Sequence, residues 1–171
     1  MNTNSILIVD DEEAIREVIK EMLKDKANKI VTLESGSQAL KLLSRSRFDV
    51  ILTDVNMPDM NGFQLIEYVK LTDPMVPIII MTGYSSICDL RQAMAKGADE
   101  YIAKPVRKDV LEAAIDKVLV LSLMKRNEMM FKYVSVANKL ISWSDEPDKN
   151  ELIIIGRRLI KYIEASEIRL D

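Results

Sequence analysis

Residues 51–62 read ILTDVNMPDMNG. Ile51, Leu52 and Thr53 suit a buried strand, Asp54 ends it, and Asn56, Pro58, Asp59, Asn61 and Gly62 crowd the loop that follows. An apolar run that stops at an acid and hands over to turn-formers places a carboxylate at a strand tip. Asp59 and Asn61 by themselves read as turn residues. Three other stretches end in the same manner. SILIVD (5–10) runs into Asp10 and Asp11, PIIIMTG (77–83) ends in Thr82 and Gly83, and DEYIAKP (99–105) ends in Lys104 and Pro105. KIVTLE (29–34) reads as one more strand.

Between these strands the apolar spacing turns helical. In EEAIREVIKEMLK (12–24), Ile15, Val18, Ile19, Met22 and Leu23 share a face. SGSQALKLLSRS (35–46) reads as a helix with serine at its cap. GFQLIEYVKL (62–71) and SICDLRQAMAKG (86–97), which ends in Gly97, are two more, and a fifth helix starts near Arg107. Five strands alternating with five helices over short connections imply an α/β fold, an open doubly wound parallel sheet with right-handed crossovers. The near-continuous apolar strands 6–9, 50–52 and 78–81 fit a sheet covered on both faces. Such sheets carry their sites at the carboxyl ends of the strands, near the switch in strand order. Asp10, Asp11, Asp54, Thr82 and Lys104 are thereby expected on one rim.

Each of these residues has an ordinary explanation alone. Adjacent acids such as Asp10 and Asp11 commonly cap a helix and sit in its first turn. Lys104 alone is a solvated lysine, and Thr82 an ordinary strand end. Together on one rim they suggest chemistry. Three carboxylates repel one another, and a hard divalent cation relieves that repulsion. Mg²⁺ takes a few carboxylates and keeps positions open for water or phosphate. A carboxylate oxygen is also a nucleophile toward phosphorus. Phosphoryl transfer needs mainly positioning and charge neutralisation, which Lys104, the Thr82 hydroxyl and the cation would supply.

Composition narrows the choice. The 171 residues suit one domain, or a domain plus an appendage. With 48% apolar and 30% charged residues the chain reads as ordered and globular. A net charge of −3 does not suggest a nucleic-acid binder. The single Cys88 excludes an internal disulfide and suits a reducing cytoplasm. No apolar run approaches the ~20 residues that span a bilayer. The chain has no histidine, so most metal, triad and proton-shuttle schemes lack their usual residue.

ILIVDDE, DVILTDVNMPDMNG, PIIIMTG and GADEYIAKPV together resemble the receiver domain of two-component response regulators, over roughly residues 5–120. The resemblance implies a CheY-like, flavodoxin-like fold of strand order 2-1-3-4-5. It implies Asp54 as phosphoacceptor, and Asp10, Asp11, Asp54 and the backbone carbonyl of Asn56 as Mg²⁺ ligands. Thr82 would be the switch hydroxyl, Lys104 the phosphate-binding lysine, Tyr101 the switch aromatic, and Lys104–Pro105 a cis peptide. Asn56 and Tyr84 match positions that tune aspartyl-phosphate lifetime. Gly83 stands where the family often has alanine. The donor would be a phosphohistidine on a sensor kinase or histidine phosphotransfer protein. Because this chain holds no histidine, the donor must be another molecule. The expected role is a phosphoacceptor switch rather than an enzyme. A hydrolase with an aspartyl nucleophile would need a lid that these short loops leave no room for.

The expected division is a receiver over 1–120 and a helical extension over 121–171. From Arg107 to Trp143 there is no glycine or proline, so the fifth helix should run on past the domain. Leu119, Leu123, Met130, Tyr133, Ala137 and Leu140 follow a 4–3 spacing that Arg126 interrupts. SDEPDKN (144–150) reads as a turn and ELIIIGRRLIKYIEA (151–165) as a returning helix, making a hairpin with Phe131, Tyr133, Trp143 and Tyr162. A hairpin has too little core to stand alone and should pack on the receiver or on a second copy, giving a homodimer. Met124, Met129 and Met130 read as helix core or as an adaptable partner surface. Nine Lys/Arg against eight Asp/Glu after residue 120 argue against DNA contact. A DNA-binding regulator and a phosphorelay intermediate are the competing readings.

Overall fold

In the computed structural model, the described backbone covers residues 5–83 and 87–142, and the described side chains residues 5–83 and 91–129. The strands are β1 Ser5–Val9, β2 Lys29–Leu33, β3 Val50–Asp54, β4 Ile78–Thr82 and β5 Glu100–Ala103. The helices are α1 Glu13–Leu23, α2 Gly36–Leu43, α3 Gly62–Thr72, α4 Ile87–Ala95 and α5 Lys108–Ser142. All pairings are parallel, in the order β2-β1-β3-β4-β5. This is the expected doubly wound sheet, with its order reversing at β1 and β3.

Side chains alternate across each strand, and two cores result. Leu7, Val9, Ile51, Ile78 and Ile80 pack with Ala39 of α2, Leu65, Ile66 and Val69 of α3, and Ala93 of α4. Ile6, Ile8, Val50, Leu52, Ile79 and Met81 pack with Ile19 and Leu23 of α1 and with Leu111, Ile115 and Val118 of α5. Because both faces of β1, β3 and β4 are buried, these strands are apolar at nearly every position, and polar residues wait for the tips.

Local signals set the element ends. Ser35 caps α2 by accepting from Gln38 N at 3.3 Å. That helix stops at Leu43 rather than reaching Ser46: Ser44 is its C-cap, and the last turn tightens as Arg45 N donates to Leu42 O at 3.1 Å. Asn61 proves to be the N-cap of α3, in a reciprocal capping box with Gln64. Asp59 takes a positive φ of 74° in the turn before it. Gly97, at φ 102°, ends the α4 segment in a conformation that glycine adopts freely.

The chain divides after Ser122 into two units. In the first, Ser122 Oγ is buried and donates to Met75 O at 2.9 Å. Helix α5 continues to Ser142, as its lack of breakers led one to expect, and Val120, Leu121, Leu123 and Met124 are exposed. The expected turn and returning helix over 144–165 lie outside the described residues, as does Tyr84. Among the described residues no helix is long and apolar enough to cross a membrane.

Candidate functional site

The register carries the strand tips to one level. Val9 lies opposite Thr53, Asp54 opposite Met81, and Thr82 opposite Ala103. The bonding continues a residue further: Asp10 N donates to Leu33 O at 3.1 Å, Val55 N to Met81 O at 3.3 Å and Lys104 N to Thr82 O at 2.8 Å. Asp10, Asp54, Thr82 and Lys104 are thus presented from four neighbouring strands.

Asp10, Asp54 and Thr82 are buried, at 0%, 6% and 3% exposure, while Asp11 is exposed. Buried polar groups at this density in a small domain call for partners. Lys104 Nζ lies 2.8 Å from Asp10 Oδ2, 3.3 Å from Asp54 Oδ1 and 3.8 Å from Glu12 Oε1. One ammonium faces an excess of acids. Burial raises the Asp54 carboxyl above its usual range, Asp10 adds to the rise, and Lys104 opposes it. Burial works to lower the Lys104 ammonium, but the bond to Asp10 and the charges of Asp54 and Asp10 outweigh it, and the net shift is upward.

One carboxylate oxygen from each of Asp10, Asp11 and Asp54 lies within 4.8 Å of the others. Asp10 Oδ2 is buried and, beside its ion pair with Lys104, accepts no well-directed hydrogen bond among the described residues. Converging hard oxygen donors with an unmet charge fit a divalent cation.

The loop after Asp54 has a steric reason for its glycine. A Cβ on Gly62 would fall 2.1 Å from the carbonyl oxygen of Asp54, so α3 approaches the strand tip as only glycine allows. Gly62 N donates to Val55 O at 2.9 Å and closes the loop. Asn56 is exposed in that loop. Gly83 leaves open space, since a Cβ there meets nothing within 4 Å among the described residues. The Lys104–Pro105 peptide is cis. Tyr101 lies opposite Ile80, below the rim, and is half-buried.

The acid pair was open to a capping explanation. Helix α1 begins at Glu13, and Glu12 occupies its N-cap without a side-chain cap bond. Asp10 Oδ1 accepts from Glu12 N at 3.0 Å, which orders the turn ahead of the helix. Two residues near the rim escaped the sequence reading. Glu12 approaches Lys104, and Arg16 Nη1 donates to the carbonyl oxygens of Asp10 and Asp11. Helical spacing places Arg16 one turn from Glu12, which was the available hint. A cavity of about 450 Å³ opens between residues 43–48 and 69–76. It lies at the opposite end of the sheet and shares no residue with the rim.

Residues 6–116 match the response regulator receiver domain family. The chain belongs to that family. Among curated relatives, this receiver protein is 31% identical over 151 residues to the transcriptional regulatory protein GlrR of Escherichia coli, covering 82% of this chain and 34% of the relative. It is 33% identical over 114 residues to the cell cycle response regulator CtrA of Brucella ovis, covering 67% of this chain and 49% of that one. It therefore spans half or less of the length of these two relatives. A CheY-like receiver domain protein from Methanospirillum hungatei superposes with a TM-score of 0.68 at 30% identity, covering 72% of this chain and 98% of the other. Two-component signalling is accordingly the setting of this receiver domain.

Proposed function

We propose that this receiver domain accepts a phosphoryl group on Asp54 and works as a switch rather than an enzyme. The observation that carries the reading is the Asp54 carboxylate at a strand tip, with Lys104 Nζ at 3.3 Å and acidic oxygens of Asp10 and Asp11 within 4.8 Å. The donor is a phosphohistidine on a separate sensor kinase or histidine phosphotransfer protein. An Asp54 oxygen attacks phosphorus, the P–N bond breaks, and the electron pair leaves with the imidazole nitrogen, which takes a proton. The product is a mixed anhydride on Asp54.

Asp10, Asp11, Asp54 and the Asn56 carbonyl would hold Mg²⁺, which when bound neutralises acid charge and favours developing phosphoryl charge. Lys104 is already held at the reaction point by Asp10 and can shift its bond to a phosphoryl oxygen. Thr82, buried on the neighbouring strand, would donate its hydroxyl to a phosphoryl oxygen. A phosphoryl group adds negative charge and acceptor oxygens. Thr82 turning toward it would free space for Tyr101 on β5, and so alter the surface of α4, β5 and α5.

The outlet we favour is control of self-association or of a protein partner. The 4–3 apolar spacing in the sequence from Leu119 to Leu140 and the exposed Leu123 and Met124 support it. DNA contact by residues 121–171 is disfavoured by their balanced charge. The absence of histidine and the lone cysteine suit a cytoplasmic acceptor served by a separate donor.

Incubation with acetyl phosphate and Mg²⁺, followed by intact-mass and peptide mass spectrometry, tests the reading. One phosphoryl group on the Asp54 peptide is expected, with none on Asp54→Asn and none in chelator. Label that persists on Asp54→Asn would place the acceptor elsewhere. Light scattering with beryllofluoride and Mg²⁺ tests the outlet: a change of mass supports controlled assembly, and a constant monomer points to a separate target.

A further inference from the structure

We infer that Arg16 is a positioning residue for the cation site: it holds the Asp10–Asp11 peptide in the orientation that aims both carboxylates at Asp54. The inference rests on the metal reading above and extends it to a residue outside the acid cluster. Arg16 lies in the first turns of α1, and its own N–H donates to Glu12 O at 3.1 Å. Its side chain folds back toward β1, where Nη1 donates to Asp10 O at 2.7 Å and to Asp11 O at 3.0 Å. A single nitrogen, with one hydrogen for each carbonyl, ties two successive peptides.

The acids differ in what else holds them. Asp10 is buried, pairs with Lys104 and accepts from Glu12 N. Asp11 is exposed, and no hydrogen bond or ion pair holds its carboxylate among the described residues. Its place within 4.8 Å of Asp10 and Asp54 is therefore set by its backbone. That backbone is clamped from two sides: the Asp10 side chain bonds within the turn, and Arg16 bonds the outward carbonyls. The N-cap Glu12 supplies no side-chain bond that would do this instead. Arg16 touches carbonyls and not carboxylates, so its role is one of aim rather than of charge neutralisation. Groups that orient metal ligands commonly change affinity by about 10–100-fold when removed.

Calorimetric titration with Mg²⁺ alone, alongside the electron paramagnetic resonance of bound Mn²⁺, tests this on the full chain. Arg16→Ala should weaken Mg²⁺ by about tenfold and alter the Mn²⁺ line shape. Arg16→Gln, too short to span both carbonyls, should do the same and serves if the alanine variant does not fold. Arg16→Lys should recover part of the affinity, because an ammonium donates but lacks the reach and plane of a guanidinium. Ile19→Val, which loosens the buried face of the same helix, should melt lower yet bind Mg²⁺ as the parent does. The inference is overturned if the Ala and Gln variants bind Mg²⁺ as tightly as the parent, or if Ile19→Val weakens it equally. Failure of the metal reading looks different: the parent would not bind Mg²⁺ saturably, or Asp10→Asn would bind it unchanged.

Discussion

At the amino ends of β4 and β5, Lys70 of α3 meets Asp99 at 2.7 Å. Its ammonium also donates to Val76 O at 2.8 Å, and Asp99 Oδ2 accepts from Ile78 N at 3.0 Å. At the carboxyl ends of the same sheet, Lys104 faces Asp10 and Asp54, with Asp11 and Glu12 nearby. Both lysines are largely buried, at 17% and 13% side-chain exposure. They differ in how the charge is matched. The first is a lysine–aspartate pair that is also tied to backbone, Lys70 to Val76 O and Asp99 to Ile78 N, so it fastens α3 to the entry of β5. In the second, among the described residues, Asp10, Asp11, Asp54 and Glu12 outnumber Lys104 and Arg16, and burial, with Asp10 adding to it, pushes the carboxyl of Asp54 upward. A matched buried pair completes a structure, whereas a rim short of positive charge awaits a ligand.

Removing half of the matched pair should have the largest effect on stability. Lys70→Ala removes the ammonium that pairs with the largely buried Asp99 at 2.7 Å and should cost about 3 kcal/mol in urea unfolding. Mg²⁺ affinity, measured by calorimetry, should stay as in the parent. A change in Mg²⁺ affinity would mean the two rims are coupled. Gly62→Ala comes next. A methyl aimed at the Asp54 carbonyl forces the α3 entry to move, for a loss of about 2 kcal/mol, and phosphoryl uptake from acetyl phosphate should fall with it. Uptake at the parental rate would show that the loop yields without disturbing Asp54.

Acidity sharpens the contrast at the unmatched rim. The folded-state value of Asp54 is raised above its ordinary 3.8, so its ionisation opposes folding. Without divalent cation, this group's contribution to stability should grow as pH falls from neutral through the raised value, and level off near 3.8. Asp54→Asn should lack that component, and the difference between the two unfolding curves across pH isolates it. Gly83→Ala should be the smallest change, within about 0.5 kcal/mol, because nothing described stands where its methyl would go. A larger loss in thermal melting would reveal a neighbour at that position.

The fold was legible because its signals are short-range. Apolar runs in SILIV, VILTD and IIIMT are buried on both faces, and each breaks at a polar residue where the strand leaves the core. The site was legible for the same reason: parallel strands place all such breaks on one rim. The absence of glycine and proline after Arg107 announced the length of α5. Arg16 was legible only as a helical-turn neighbour of Glu12, since it acts on main-chain carbonyls and residue type does not report those. Lys70 and Asp99 lie 29 residues apart, and no local pattern joins them. The early end of α2 escaped because Ser44 and Arg45 are compatible with helix, and Ser44 keeps helical backbone angles even at the cap.

Comparing the unfolding stability of the parent and Asp54→Asn, first in chelator and then in Mg²⁺, tests most directly whether the carboxyl-end rim lacks positive charge. The account predicts that without cation Asp54→Asn is the more stable at neutral pH. It also predicts that Mg²⁺ stabilises the parent more than the variant. A parent that is the more stable in chelator, or a Mg²⁺ gain that is equal in both proteins, would contradict it.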